Sequence, residues 1–319
     1  MNDYTGHKSG DPMRAGTGGS KQKIAVGALL AGAMVWGLVW FPYRALQEAG
    51  IAGEFASAIT YLLALAIACI GYRGRLSRMR PSRMLLLIGL TTGCCNVGFV
   101  LATIHGIVVR VVLLFYLAPV WTVVFAYLLL GERLSLRGGL FMLLAIAGAV
   151  VMLWNPVLGV PVPNDIWEWV GLAAGVLFAL SNVLVRKAQD HAIEQRAFFV
   201  FAGCSLVACA ACLFNVAAAP SITSFALTPV ALLLLIGITI WAVNYAVQYG
   251  LGQVPANEAI VIYLSELVFA AMSSWVLAGE SLHAREWAGG IMIVAASLLA
   301  SRIRAPAERS NNGPVTQNS

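Results

Sequence analysis

The residues best placed to do chemistry are few, and each sits in apolar company. Glu266 lies about nine residues into the apolar run that starts near 257. A carboxylate persists in such surroundings where it exchanges protons, faces a cationic group of a solute, or pairs with an Arg or a backbone donor. All three readings are open. Arg110 lies about two residues inside another apolar run, 108–130. It can snorkel to an interface, guide a carboxylate inward, or pair with an acid, Glu266 included. Glu258 and Arg44 fall near the ends of their runs and read as interface residues.

Aromatic and amide residues fall on helical faces. Trp36, Trp40, Tyr43 and Arg44 recur at i, i+4, i+7 and i+8, and Trp241, Asn244, Tyr245 and Gln248 at i, i+3, i+4 and i+7. Each set shares one side of a helix. A polar–aromatic face suits a cavity wall that stacks or hydrogen-bonds an organic solute. An aromatic belt at the lipid–water boundary is the structural alternative. Asn96 and Asn182 are mid-helix amides, fit for interhelical hydrogen bonds or for solute contact. Pro42 and Pro119 interrupt backbone bonding, as hinges or as static kinks. Gly89-x-x-x-Gly93 and Gly171-x-x-x-Gly175 permit close helix approach.

The motifs of catalysis are missing: there is no His-Glu-x-x-His, no Gly-x-Ser-x-Gly, no phosphate loop and no carboxylate cluster. His105 and His191 stand alone near helix ends, and His7 and His283 fall in a tail and a loop. Cys69, Cys94, Cys95, Cys204, Cys209 and Cys212 all fall inside apolar runs. The Cys209/Cys212 spacing has no second pair beside it, so packing is the reading and no metal site or cofactor is expected.

The elements that must position these residues follow from composition. The chain has 319 residues, 60% hydrophobic and 11% charged, with mean hydropathy +0.83. A soluble domain is roughly 25% charged, so lipid must solvate this surface. Charges vanish from 24–43, 55–72, 84–109, 111–131, 138–164, 169–185 and 197–257. The last run is too long for one helix and carries Pro220 and Pro229, so it divides in two. The runs predict ten transmembrane helices over 24–44, 54–72, 83–104, 108–130, 136–154, 167–187, 197–216, 228–249, 257–278 and 285–302. Residues 1–23 and 303–319 read as polar, disordered cytoplasmic tails, and 155–166 as an external linker. The first apolar run starts late, is long and lacks a small-residue cleavage site, so it reads as a span rather than a cleaved leader.

With the N-terminus inside, every Lys and Arg except Arg44, Arg110 and Arg285 falls on the cytoplasmic side. This positive-inside bias predicts both termini cytoplasmic. It also explains the formal net charge of +6 without nucleic acid as a partner. The cluster Arg73–Arg83 reads as a topology anchor.

An internal repeat organises the chain. Tyr116-Leu117-Ala118-Pro119 and Gly131-Glu132-Arg133-Leu134 are echoed by Tyr263-Leu264-Ser265-Glu266 and Gly279-Glu280-Ser281-Leu282, at offsets of 147 and then 148. Trp36-Gly37 with Arg44 matches Phe178-Ala179 with Arg186 at an offset of 142. The repeats, 24–154 and 167–302, hold five helices each. An odd number inverts the second half relative to the first, a common build for carriers with a site near the midplane between halves. An all-α integral membrane protein of two inverted five-helix repeats is therefore expected.

These motifs resemble the EamA branch of the drug/metabolite transporter superfamily. The likeness rests on the Leu117–Leu134 pattern, its echo Tyr263–Leu282, Trp36-Gly37 and the Ala179–Arg186 stretch, and it covers 24–302. The Val109–Val124 segment also resembles members close to the YddG-type aromatic amino-acid exporters. The resemblance implies a central cavity, transport of a small-molecule solute such as an exported amino acid, and a bacterial-type inner (plasma) membrane. It departs at Glu266, where the family often has Pro, and at Arg110. Candidate cavity residues are Glu266, Trp36, Trp40, Asn96, Arg110 and Tyr116, with Asn182, Trp241, Asn244, Tyr245 and Tyr263. A drug, sugar derivative or lipid as solute, or a non-transporting receptor or scaffold, are the alternatives. Phosphate esters would want several buried cations. Oligomeric state is not legible.

Overall fold

The computed structural model describes residues 16–76, 81–106, 108–154, 163–214, 219–278 and 283–300. Among these residues the chain forms thirteen α-helices and a short 3-10 turn at Ile222–Phe225, with no strand. The first half holds α1 (Gly16–Leu38), α2 (Trp40–Glu48), α3 (Gly53–Leu76) and α4 (Arg83–His105). It continues with α5 (Val108–Phe115), α6 (Ala118–Leu130) and α7 (Leu136–Leu153). The second holds α8 (Ile166–Lys187), α9 (Ile193–Phe214), α10 (Leu227–Gln253), α11 (Ala256–Tyr263), α12 (Ser265–Ala278) and α13 (Ala284–Ala300).

Thirteen helices arise from the ten expected spans because three of them break. The first gives α1 and α2, the fourth α5 and α6, and the ninth α11 and α12. Pro42 lacks the N–H that would bond to Leu38, and the helix turns at Val39. Helix α1 also starts at Gly16, two turns earlier than expected, within the stretch read as a tail. Residues 1–15, 155–162 and 301–319 lie outside the described residues, and so does the Gly279-Glu280-Ser281 turn.

Nine helical stretches among the described residues are long and apolar enough to cross a membrane, and Trp287–Ala300 is a shorter apolar helix. Their outward faces carry bare hydrocarbon: Leu206, Leu213 and Phe214 on α9, Leu140 and Leu143 on α7, and Ile291 on α13 are all exposed. Water would penalise that surface by about 25 cal/mol per Å², whereas lipid tails do not. The chain is a multi-pass membrane protein.

Helix ends are set by local chemistry. Gly131 takes φ +69°, open to glycine at little cost, and its N–H reaches the Tyr127 carbonyl (3.1 Å) while Glu132 N–H reaches that of Ala126 (3.1 Å). The Ser135 hydroxyl then accepts the Gly138 N–H (3.0 Å) and opens α7.

Between apolar helices in lipid, close approach replaces the hydrophobic effect as the source of attachment. A Cβ on Gly175 of α8 would lie 2.5 Å from the Phe115 carbonyl oxygen, and one on Gly37 of α1 2.7 Å from that of Glu266. Gly89 of α4 and Gly203 of α9 meet backbone to backbone.

Helix pairing recurs between the halves. Helix α4 packs on α8 as α10 packs on α1, and α4 on α9 as α10 on α3. Likewise α5 and α6 pack on α8 as α11 and α12 pack on α1, while α7 joins α13 and α3 joins α9. Some pairings lack a counterpart, among them that of α6 on α11, since α5 and α12 make no comparable contact.

Gly175→Leu and Gly37→Val should each destabilise the bundle by about 1–3 kcal/mol. Gly27→Ala, which opens onto empty space, should be neutral. Thermal unfolding in detergent distinguishes the two groups.

Candidate functional site

Two mid-bundle helix breaks build the centre. Pro119, in the first turn of α6, cannot donate to Phe115, and the chain turns at Tyr116–Leu117. The freed end of α5 rests against Gly175 of α8. The second break, at Leu264, has no proline. There Leu264 N–H still reaches Ile260 (3.2 Å), Leu267 N–H bonds back to Leu264 (3.2 Å), and the Ser265 hydroxyl donates to the Ile262 carbonyl (2.6 Å).

Glu266 lies just past that break. Its side chain is half-buried. Tyr116, Tyr263 and Cys95 lie near enough to its carboxylate to interact with it electrostatically, so the repeated tyrosines of the sequence lie near one acid. A ring wall joins them: Tyr116 to Phe115 (5.4 Å between centroids), Phe115 to Phe178 (5.3 Å), and Phe178 to Tyr263 (5.6 Å). Phe99 closes on Phe115 at 4.6 Å.

The other sequence candidates divide into groups. Asn96 donates to the Tyr61 hydroxyl (3.1 Å), which also meets Cys204 and lies near Cys95, so this pair continues the central lining. Trp36 is partly buried against the main core. Trp40 is tied down structurally: its Nε1 donates to the Ser273 hydroxyl (2.8 Å), which donates to the Gly37 carbonyl (3.1 Å). Trp241 and Tyr245 meet at 5.6 Å, and Tyr245 meets Tyr72 of α3 at 6.1 Å, an aromatic group packed against the same core as Tyr263. Asn244 Oδ1 and Asn182 Nδ2 are buried without a hydrogen-bond partner. Pro119 is buried at its break, and Pro42 is half-buried.

Arg110 finds its acid in Glu168. Its Nε lies 2.5 Å from Glu168 Oε1 and its Nη2 donates to Oε2 (3.1 Å), with both side chains almost wholly buried. Glu168 Oε2 also accepts the Asn164 N–H (2.8 Å). Asp165 caps α8 through the Trp167 (2.7 Å) and Glu168 (3.0 Å) N–H groups. Sequence reasoning had passed over Glu168. The available signal was its depth, since both residues lie near the same end of their spans.

The opposite end of α8 carries a second cluster. Glu132 Oε1 lies 3.5 Å from Arg186 Nε, and Glu132 Oε2 accepts the Ala256 N–H at the start of α11 (3.0 Å). Arg186 also donates to the Gly252 carbonyl and to Gln189 (3.2 Å), and Glu258 lies close by. One carboxylate, part of the repeated Gly131-Glu132 motif, thus ties the end of α6 to α8 and α11. Arg196, read as a topology charge, is buried with Nη1 on the Val185 carbonyl (3.1 Å). Among the described residues, no group of three or more His, Cys, Asp or Glu side chains could hold a metal ion.

A multi-pass helical bundle that keeps carboxylates such as Glu54, Glu168 and Glu266 within its apolar spans suits membrane transport. The chain belongs to the EamA-like transporter family, whose pattern matches residues 23–154 and again 165–302. An uncharacterized transporter of Archaeoglobus fulgidus is 25% identical over 235 residues, covering 70% of this chain and 78% of that protein. A solved crystal structure aligns with 88% of this chain and 97% of its own at TM-score 0.69 and 19% identity, a likeness of fold. Transporter membership implies a non-enzymatic role.

Arg110→Ala leaves Glu168 buried without its cation and should cost about 3 kcal/mol or more. Arg110→Met with Glu168→Leu should recover most of that loss. Unfolding midpoints of the wild type, both single variants and the double variant check this.

Proposed function

We infer that this protein is a secondary carrier for a small metabolite, with amino-acid export as the leading activity, in a bacterial-type inner membrane with both termini cytoplasmic. The observation that carries the reading is Glu266, set between two helix breaks and flanked by Tyr116 and Tyr263. Transport sites in carriers form at discontinuous helices near the midplane. A carboxylate there needs a proton or a cationic group as its counter-charge. The amino-acid assignment draws on the resemblance of Val109–Val124 to amino-acid exporters. Phosphate esters fit poorly, because the buried cations Arg110 and Arg196 bond to Glu168 and to the Val185 carbonyl.

The reciprocal helix pairing of the two halves supports an inverted-repeat build and alternating access. In this reading α6 and α11 close the cytoplasmic side, held by Glu132, while α5 and α12 stand apart on the outer side. The state is outward-open, and inward opening requires that Glu132 release Ala256 and Arg186.

Counterflow in proteoliposomes tests the activity. Vesicles preloaded with one amino acid should accumulate a trace of the same labelled compound above empty liposomes. Glu266→Gln should lower the rate at least about tenfold, as loss of a desolvated charge contact does. No accumulation of any amino acid by folded protein sinks the amino-acid reading. An unchanged rate and pH dependence in Glu266→Gln sinks the role of that residue.

A further inference from the structure

We propose that the groove where α7 ends and α13 begins is a binding site for an anionic phospholipid. Arg285 takes the phosphodiester, and the apolar outer faces of α7 and α13 take an acyl chain. The site lies on the lipid-facing side of the bundle and is independent of the solute carried.

The groove follows from how the two helices meet. Helices α7 and α13 are the last of their repeats and pack chiefly on each other. They touch backbone to backbone at two glycines: a Cβ on Gly148 would lie 2.8 Å from the Gly289 carbonyl oxygen, and one on Gly289 would strike that of Gly148. Toward the end of α7, an open groove of about 550 Å³ is lined by Val150, Val151, Trp154 and Arg285. Arg285 Nη1 donates to the Trp154 carbonyl (3.1 Å). That bond holds the guanidinium beside the groove and leaves the other donors of its fork for an anion.

Charge, depth and surface then name the occupant. Of the three arginines that the both-termini-inside reading leaves off the cytoplasmic side, Arg44 meets Glu48 (3.4 Å) and Arg110 meets Glu168. Arg285 is exposed and makes no ion pair among the described residues. A guanidinium in that condition matches a phosphodiester, which accepts two parallel N–H bonds from it. Tryptophans mark the depth. Trp154 lines the groove, and Trp287, two residues along α13 from Arg285, meets Trp275 at 6.2 Å, both about half exposed. Indoles gather where headgroups meet hydrocarbon. Further along, Leu140, Leu143 and Val151 on α7 and Ile291, Val294 and Leu298 on α13 recur at helical spacing and are all exposed. These two stripes offer a bed for a hydrocarbon chain. A soluble anion would use Arg285 and leave the stripes empty, whereas a phospholipid uses both.

Photocross-linking tests the site. The full-length protein is placed in phosphatidylcholine liposomes that carry a small fraction of a phosphatidylglycerol analogue with a diazirine in its acyl chain. After irradiation the labelled peptides are mapped. Label should fall on 140–154 and 284–298 and exceed that from a matching phosphatidylcholine analogue about fivefold, the worth of one basic residue facing an anionic headgroup. Arg285→Gln should remove this excess, and Arg285→Lys should keep most of it. Arg75→Gln, which alters an exposed arginine at the opposite end of the bundle, should leave these peptides labelled as before. Val151→Trp, which fills the groove and keeps the charge, should lower labelling by both analogues. Label that avoids these peptides, equal labelling by the two analogues, or an undiminished excess in folded Arg285→Gln overturns the proposal. Loss of the excess on adding millimolar glycerol phosphate also overturns it, because the site then serves soluble anions.

Discussion

In hydrocarbon an unpaired backbone N–H or C=O has no water to turn to, so irregular backbone is tolerated at membrane depth only where protein encloses it. The breaks at Tyr116–Leu117 and at Leu264 obey this constraint, and the rest of the bundle is arranged around them. Gly175 lets α8 cover the Phe115 carbonyl, and Gly37 lets α1 cover that of Glu266. The same contacts bring the ends of four short helices to one place. Tyr116 and Tyr263, at the two breaks, are buried in the core rather than turned to lipid.

The polar residues that survive in this apolar chain are divided by depth. Glu266 and its tyrosines occupy the middle. Arg110 with Glu168, and Glu132 with Arg186, sit near the two ends of α8, roughly 27 Å apart at 1.5 Å per residue. Both end clusters join a helix of the first half to one of the second. Pairing removes the penalty of stranding either charge.

The second break is instructive because the repeat replaces Pro119 with Glu266. The helix still breaks there, supported by the Ser265 hydroxyl on Ile262 and by the tight turn through Leu264. Where the first repeat has a residue that interrupts the backbone, the second has one that carries charge, and neighbouring bonds keep the interruption.

Much of this was legible in the sequence because it is written locally. Charge-free runs mark the spans, Pro119 and Pro42 mark two of the breaks, and the repeated Tyr-Leu pairs mark equivalent positions in two halves. The partner of Arg110 was not legible, nor the reach of Glu132 to Ala256. These helices are apolar all round, so no stripe along them declares which face meets which neighbour. The sequence determined that the chain spans a membrane and where its helices stop and bend, since hydropathy and backbone chemistry act over a few residues. Only the tertiary structure decided which polar groups meet, because that depends on the rotation of each helix about its axis and on the glycines that let particular backbones touch.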